Sequence, residues 1–148
     1  TSISAGEYHT CAVRNGAATC FGGNSYGQLG SGTDQDIYTP NPVVTLTSGV
    51  TRVTAGSFSA CALLTGGRVK CWGENYDGTL GNGSHTGSAI PVQTIGLTSG
   101  VGGVDLGGSH GCARITTTST IKCWGYNEAG QVGNGTTTDQ LTPVPIRS

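Results

Sequence analysis

Charged residues and long hydrophobic runs are scarce in this chain. Only 10% of its 148 residues are charged, and the formal net charge is −1. No cluster of Lys and Arg provides a surface for nucleic-acid phosphates or for an anionic membrane. The apolar runs are only a few residues long, which excludes a membrane-spanning helix. We therefore predict no nucleic-acid partner and no membrane insertion.

Methionine and a signal-peptide pattern are also missing. This predicts a processed N-terminus, a fragment or the sequence of a mature product. Six cysteines in so short a chain are typical of an oxidising compartment, so we predict a secreted, extracellular protein. The 27 glycines recur in register with Val, Ile, Leu and Trp, which indicates short strands and tight turns rather than disorder.

One motif occurs three times along the chain. It reads CFGGNSYGQLGSG from Cys20, CWGENYDGTLGNG from Cys71 and CWGYNEAGQVGNG from Cys123. Another cysteine precedes each copy, at positions 11, 61 and 112. This spacing predicts a single repeat domain over 1–148, with repeats at 1–50, 51–101 and 102–148.

Each repeat predicts four short strands and no helix. In the second copy, the first three strands are expected at 51–55, 61–64 and 68–72. A fourth, proline-bearing segment suits an outer strand, where a missing N–H costs nothing. These outer segments are predicted at 40–44, 91–95 and 143–146. Four short strands in each repeat are typical of a propeller blade.

The pattern G-x-x-H-x-C-A-L…G-x-V-x-C-W-G-x-N-x-x-G-x-L-G-x-G resembles the regulator-of-chromosome-condensation repeat over essentially the whole chain. His9 and His110 stand at the family's histidine position, where the second copy has Ser59. The family's tryptophan is present as Trp72 and Trp124. The resemblance implies closed propellers of about seven blades. Three repeats therefore predict an all-β, partial or open β-propeller of three four-stranded blades.

The cysteines can be paired from hairpin register. Asn15-Gly16 is a favoured two-residue turn, and a hairpin centred on it sets Cys11 opposite Cys20 at a Cα separation of about 4.5 Å. Turns of three and four residues give the same pairing in the other copies. Zinc ligands have a different spacing. We predict one disulfide in each blade: Cys11–Cys20, Cys61–Cys71 and Cys112–Cys123.

No set of residues predicts catalysis. His9 and His110 recur without a repeated nucleophile or carboxylate beside them, so we predict a structural hydrogen-bonding role. His85 lies in a Gly/Ser/Thr loop and is predicted to be solvated. The carboxylates fall singly at different repeat positions, and they are Glu7, Asp34, Asp36, Glu74, Asp77, Asp105, Glu128 and Asp139. We predict no enzyme, no catalytic residue, no metal site and no cofactor.

Five further residues carry predictions. Asn82 and Asn134 begin Asn-Gly-Ser and Asn-Gly-Thr sequons, and they are candidate N-glycosylation sites as well as turn residues. Trp72 and Trp124 are predicted to be blade core rather than a ligand platform. Arg114 stands where the other copies have Val13 and Leu63. Either its strand is shifted locally, or the third blade exposes that face to water or to a partner.

Two functions follow from an open arc with a bare face at each end. The first is a structural scaffold protein that self-associates blade to blade into a homo-oligomeric ring or a filament. The alternative is a secreted binding module, either a protein inhibitor or a glycan-binding propeller, that uses its rim loops. The family's nuclear exchange-factor role is disfavoured by the cysteines and by the number of blades.

Overall fold

The computed structural model describes residues 1–147, in which twelve strands form three four-stranded antiparallel sheets. Each sheet is one blade, and consecutive strands lie side by side in it. Residue 148, the last of the third predicted repeat, lies outside the described residues. The strands of the first blade are β1 Ser2–Ala5, β2 His9–Arg14, β3 Ala17–Gly22 and β4 Ile37–Pro42. The second blade has β5 Val50–Ala55, β6 Ser59–Leu64, β7 Arg68–Gly73 and β8 Ser88–Gln93. The third has β9 Val101–Leu106, β10 His110–Ile115, β11 Thr120–Gly125 and β12 Gln140–Pro145.

The central hairpin of each blade has the predicted register. In the first blade, Asn15 and Gly16 both have positive φ, at 52° and 79°, as a type I′ turn requires. Cys11 is therefore directly opposite Cys20, and the two are bonded with a Cα separation of 4.1 Å. The other blades have the equivalent bonds, Cys61–Cys71 and Cys112–Cys123. The prediction of an open all-β propeller with one disulfide in each blade is confirmed.

The outer strands differ from the sequence prediction by about three residues. Strand β4 begins at Ile37 and contains Pro40, whereas we expected the strand to begin at the proline. Strands β8 and β12 are displaced in the same direction. Each outer strand pairs with only one neighbour. A proline can therefore lie inside it without breaking a ladder bond, and the proline does not mark where pairing starts.

Adjacent blades pack the disulfide face of one blade against the tryptophan face of the next, and we call these two contacts the seams. At the first seam, Val13 and Cys20 lie in one apolar cluster with Ala62 and Trp72. The indole N–H of Trp72 also donates to the carbonyl oxygen of Gln28 in the preceding blade, at 2.9 Å. The second seam repeats this arrangement, with Leu63 and Cys71 against Ala113 and Trp124. The seams therefore hold the core, and the prediction that the tryptophans are core residues agrees with their complete burial.

The two faces that have no neighbouring blade are the end faces. On the N-terminal end face, Ile3 is 74% exposed although its equivalent in the second blade, Val53, is 1% exposed. On the C-terminal end face, Arg114 is exposed and donates from Nη2 to the carbonyl oxygen of Gly102 at 3.1 Å. Arg114 pairs with Ile121 of β11 in the same register as the rest of the hairpin. The register of β10 against β9 shifts only after Arg114, between Arg114 and Ile115.

No helix within residues 1–147 is suited to cross a membrane.

Candidate protein-binding rim

Six loops emerge at the same end of the arc. Because the strands of each blade alternate in direction and the three blades are stacked in register, the first and third connections of every blade open on one side. Contacts across blades join these loops, for example Ser57 N–H to the carbonyl oxygen of Gly108 at 3.0 Å. We call this end the loop rim, and it consists of residues 6–8, 23–36, 56–58, 74–87, 107–109 and 126–139.

A buried asparagine fixes each of the three long rim loops. Asn24 is 0% exposed, and its Nδ2 donates to the carbonyl oxygens of Thr33 and Gln35, both at 2.9 Å. Its Oδ1 accepts the N–H of Leu29 at 2.9 Å. The same three bonds are made by Asn75 and by Asn127. The long loops are therefore held by a repeated internal network, and their outer side chains stand on a fixed backbone.

Four aromatic rings form a row along the rim, from the first blade to the second. Tyr8 and Phe58, from equivalent short loops, stack with ring centroids 5.8 Å apart. Tyr26 lies 4.9 Å from Phe58 and 6.3 Å from Tyr76, between centroids. Tyr8, Tyr26 and Tyr76 are 63%, 42% and 69% exposed. We call these four residues the aromatic row, and it is an apolar surface in contact with solvent.

A cavity of about 400 Å³ opens beside this row. Tyr8, Tyr26 and Phe58 form its aromatic wall, and Asp36 lines it together with polar loop residues. The carboxylate of Asp36 accepts the backbone N–H of Asn24 through Oδ1 at 2.8 Å. One carboxylate oxygen therefore holds the loop, while the charge remains beside three aromatic rings.

The carboxylates converge on the rim although the repeats place them at different positions. Seven of the eight acidic residues belong to rim loops, and they are Glu7, Asp34, Asp36, Glu74, Asp77, Glu128 and Asp139. The eighth, Asp105, lies in β9 and accepts a hydrogen bond from the Thr54 hydroxyl at 2.7 Å. No Lys or Arg occurs in any of the six loops. A chain of net charge −1 therefore has a strongly acidic end.

Burial and mutual repulsion raise the pKa values of some of these carboxylates. Burial, followed by the charges of Asp139 and Glu128, raises the pKa of Asp77. Burial also raises the pKa of Glu74. A hydrogen bond from the Tyr76 N–H to the Glu74 carboxylate lowers this pKa, but by less than burial raises it. A hydrogen bond to Glu128 raises the pKa of Tyr126. The loops of the second and third blades therefore concentrate negative charge at neighbouring sites.

The cations lie elsewhere. Six of the seven Lys and Arg residues are in strands, and Arg147 follows β12. Arg14 and Arg68 are next to the central hairpin turns, at the end of the blades opposite the loop rim. Charge is thus separated along the blades, with acidic side chains at one end and basic side chains along the strands and at the other end.

The predicted histidine positions are structurally unequal. His9 is 3% exposed, and neither ring nitrogen has a hydrogen-bond partner within residues 1–147, so the predicted hydrogen-bonding role is not found for this side chain. Burial lowers the pKa of His9 and of His110, which is partly exposed. His85 is exposed, and its Nδ1 lies 2.6 Å from the carbonyl oxygen of Tyr76. The three histidines lie in three different loops or strands, and no His/Cys/Asp/Glu group suited to a metal occurs in the described part of the chain.

Both sequon asparagines belong to the loop network. The Oδ1 of Asn82 accepts from the Ser84 N–H at 3.2 Å and from the Ser84 hydroxyl at 2.9 Å. Asn134 makes the same bonds with Thr136, at 3.0 and 2.8 Å. The carbonyl oxygen, rather than Nδ2, makes these turn contacts. Glycosylation at the two positions stays a prediction.

The aromatic row and the acidic rim were missed by the sequence analysis. Equivalent positions contain different residues in the three copies, so a search for repeated ligand clusters does not find them. The signal that could have found them is loop membership: charge counted by loop, instead of by repeat position, separates the acidic loops from the basic strands.

A rigid arc of blades that presents loops on one rim defines the class of this protein, a propeller-type binding or scaffold module. Two profiles described as Regulator of chromosome condensation (RCC1) repeat match the chain, one at residues 1–28 and 50–79 and the other at 15–63 and 123–148. The chain belongs to this repeat family, as the sequence motif indicated.

Curated relatives extend well beyond this chain. It is 32% identical over 152 residues to the ultraviolet-B receptor UVR8 of Arabidopsis thaliana, with 99% of this chain and 34% of UVR8 covered. It is 33% identical over 128 residues to the E3 ubiquitin-protein ligase HERC2 of Homo sapiens, with 86% of this chain and 3% of HERC2 covered. The chain thus spans about a third or less of the length of these relatives.

Solved structures show the same fold. Prp20p from Saccharomyces cerevisiae, described with its binding to Gsp1p and histones, matches with a TM-score of 0.85 at 20% identity, covering 99% of this chain and 38% of Prp20p. Human WBSCR16 matches with a TM-score of 0.60 at 16% identity, covering 100% of this chain and 53% of that one. These likenesses establish a three-blade segment of propeller architecture.

Proposed function

We propose that this chain is a non-catalytic protein-binding module that engages its partner through the loop rim. The observation that carries the proposal is the aromatic row, Tyr8, Phe58, Tyr26 and Tyr76, exposed on a rigid surface. Aromatic residues are enriched at protein interfaces because they bury a large area for little loss of side-chain entropy. The asparagine-held loops add preorganisation, which reduces the ordering cost of binding.

An extracellular setting is part of this proposal. Three disulfides in the described chain are consistent with an oxidising compartment. The low charge and the absence of basic side chains at the rim support a protein, rather than a nucleic acid, as the partner. Among solved proteins of this fold, Prp20p likewise binds protein partners, Gsp1p and histones.

Selection from an unbiased peptide display library against the folded chain tests the rim. We expect most selected peptides to lose binding to a Tyr26→Ala/Tyr76→Ala double variant, because the centre of the aromatic row is removed. The matched control is Tyr38→Ala, which removes a tyrosine that is 87% exposed on the outer strand β4 and that has no contact with the aromatic row. Peptides that depend on Tyr38, or on neither site, would contradict the proposal.

Self-association of the end faces into a ring or a filament is the second candidate. Ile3 on one end face and Ile121 on the other are 74% and 42% exposed, so association would remove apolar surface from water. The end faces differ from the seams in one respect, however. Phe21 stands on the N-terminal end face where the seams have a tryptophan, so the indole hydrogen bond to the preceding blade would be missing. Analytical ultracentrifugation between about 1 and 200 µM, the range of weak to moderate affinities, tests this candidate. A concentration-dependent rise in mass that Ile3→Ser removes would support it, and a monomer throughout would exclude it.

A further inference from the structure

The cavity beside the aromatic row has two properties that restrict what can enter it. Its wall is aromatic, from Tyr8, Tyr26 and Phe58, and its charged lining residue is Asp36. Apolar side chains would leave the carboxylate desolvated without a counter-charge, which is costly. An anionic group would be repelled by Asp36 and by the other rim carboxylates. A cation that also has a flat, weakly hydrated face meets both conditions.

The guanidinium group of arginine is such a cation. It is planar, stacks on aromatic rings and forms hydrogen bonds with a carboxylate in a fixed geometry, whereas the ammonium of lysine is compact and strongly hydrated. Asp36 uses Oδ1 to hold Asn24, and none of the described hydrogen bonds uses its Oδ2. The carboxylate can therefore accept from a guanidinium without releasing the loop.

The surroundings of the cavity favour a basic segment rather than an isolated arginine. The rim loops contribute seven carboxylates and no Lys or Arg, so positive residues that flank an inserted arginine meet no cation there. Asp34 lies in the same loop as Asp36, and Asp77 follows Tyr76 at the far end of the aromatic row. Opposite charge on a partner would also increase its association rate.

We propose that the cavity formed by Tyr8, Tyr26, Phe58 and Asp36 binds an arginine side chain from a basic segment of the partner protein. The proposal rests on the loop rim being the binding surface and names the chemistry of what binds there. The guanidinium lies against the aromatic wall and pairs with the Asp36 carboxylate. The backbone of the partner segment then runs along the aromatic row.

The test measures fluorescence anisotropy with a labelled peptide of repeating Gly-Ser-Arg, about twelve residues long, which is enough to span one side of a small interface. Peptides with Lys or Glu in place of Arg are compared. We expect the Arg peptide to bind more tightly than the Lys peptide and the Glu peptide not to bind. Tyr26→Ala and Asp36→Asn should each weaken binding by up to roughly tenfold, since the cation–π contact or the ion pair of the bound guanidinium is removed.

Asp34→Asn is the matched control, because it removes the same charge from the same loop but outside the cavity. It should weaken binding by less than about twofold, the effect of a screened surface charge. Asp36→Asn retains an oxygen that can accept the Asn24 N–H, and circular dichroism checks that the variant is folded. Equal losses for Asp34→Asn and Asp36→Asn, or equal affinity for the Arg and Lys peptides, would overturn the arginine site.

The display selection distinguishes failure of the arginine site from failure of the function on which it rests. If display selection yields rim-dependent peptides that contain no arginine, the rim is the binding surface and the arginine site is wrong. If no rim-dependent peptide of any composition is found, both proposals fail. Low-salt dimerisation that Asp36→Asn abolishes, without binding of the Arg peptide, would assign the cavity to a second copy of this chain and overturn the proposal.

Discussion

The seams and the end faces are built from equivalent repeat positions, but their surfaces are opposite in character. At the seams, Trp72 and Trp124 are completely buried, and each donates an indole hydrogen bond to the preceding blade. On the end faces, the corresponding residue is the partly exposed Phe21, and Arg114 occupies the position of buried Leu63. Contact with a neighbouring blade, rather than the repeat position itself, therefore determines which residues form the core.

The largest difference in stability between a seam and an end face is expected when the aromatic ring at the equivalent position is removed. Trp124→Ala should lower the free energy of unfolding by about 3–5 kcal/mol, because a fully buried ring leaves a cavity in the seam. Phe21→Ala should cost only about 1 kcal/mol, since its ring is partly exposed and has no blade against one side. Urea denaturation of both variants gives the comparison. Equal losses would mean that seam and end face are energetically alike.

The disulfides in the seams should also resist reduction better than the disulfide on the C-terminal end face. Cys61 and Cys71 are 0% exposed in a seam, whereas Cys112 is partly exposed on the C-terminal end face. Under native conditions with a mild reductant, we expect alkylation to label Cys112 and Cys123 first. The resulting loss of stability is at most about 3 kcal/mol, as a loop of this length allows. Mass spectrometry of peptides over time follows the order, and simultaneous labelling of all three bonds would contradict it.

Stability should decrease as the pH falls, mainly through the buried histidine. Burial lowers the pKa of His9 in the folded chain, so the unfolded chain takes up its proton first. The free energy of unfolding therefore decreases below about pH 6.5, by at most about 1.4 kcal/mol per pH unit for one proton. His9→Ser, which copies Ser59, should flatten this slope between about pH 7.5 and 5.5, the range that histidine titration covers.

The less buried His110 provides the internal comparison. Burial lowers its pKa too, but His110 is partly exposed whereas His9 is buried, so His110→Ser should flatten the slope less. The raised pKa of Glu74 acts in the opposite direction, because a folded state that holds its proton gains stability as the pH falls. This contribution is common to both variants and cancels in their difference. A larger change for His110→Ser than for His9→Ser would show that burial of the histidine does not determine this slope.

The smallest effect is expected at Arg114. Arg114→Leu should change the free energy of unfolding by no more than about 0.5 kcal/mol, because the position is exposed and only one hydrogen bond is lost. Calorimetry measures this change, with Arg114→Lys as the control that keeps a cation. If Arg114→Leu stabilised the chain by as much as a seam side chain does, the C-terminal end face would have to be buried against another surface.

Local patterns were sufficient to predict the blades but not the rim. The Asn15-Gly16 turn fixes one hairpin register, and that register determines which cysteines face each other, so short-range information was enough. The contact of Tyr26 with Phe58 depends on how two blades stack, and it cannot be deduced from the positions of the two residues in the repeat. Likewise, Asp77 and Glu128 are not equivalent residues, and only the assembled loops make their charges neighbours.

The outer strands were misplaced for a related reason. The outer strand of the first blade was predicted at 40–44 because its prolines suit an edge position, yet β4 begins at Ile37. A shift in pairing between Cys20 and Gly22 lets β4 start earlier. Such irregularities depend on the neighbouring strand, and proline position does not predict them.

The asparagine-held loops have a consequence for how this surface can diversify. Asn24 bonds to residues 29, 33 and 35, so the conformation of its loop is specified by buried groups. The two residues that follow the asparagine stand at the rim and differ in every blade, being Ser-Tyr, Tyr-Asp and Glu-Ala. Variation at these positions would change recognition without refolding the loop. The three blades thus form a natural library scaffold, in which residues 25–26, 76–77 and 128–129 are the sites to randomise when new binding specificities are sought.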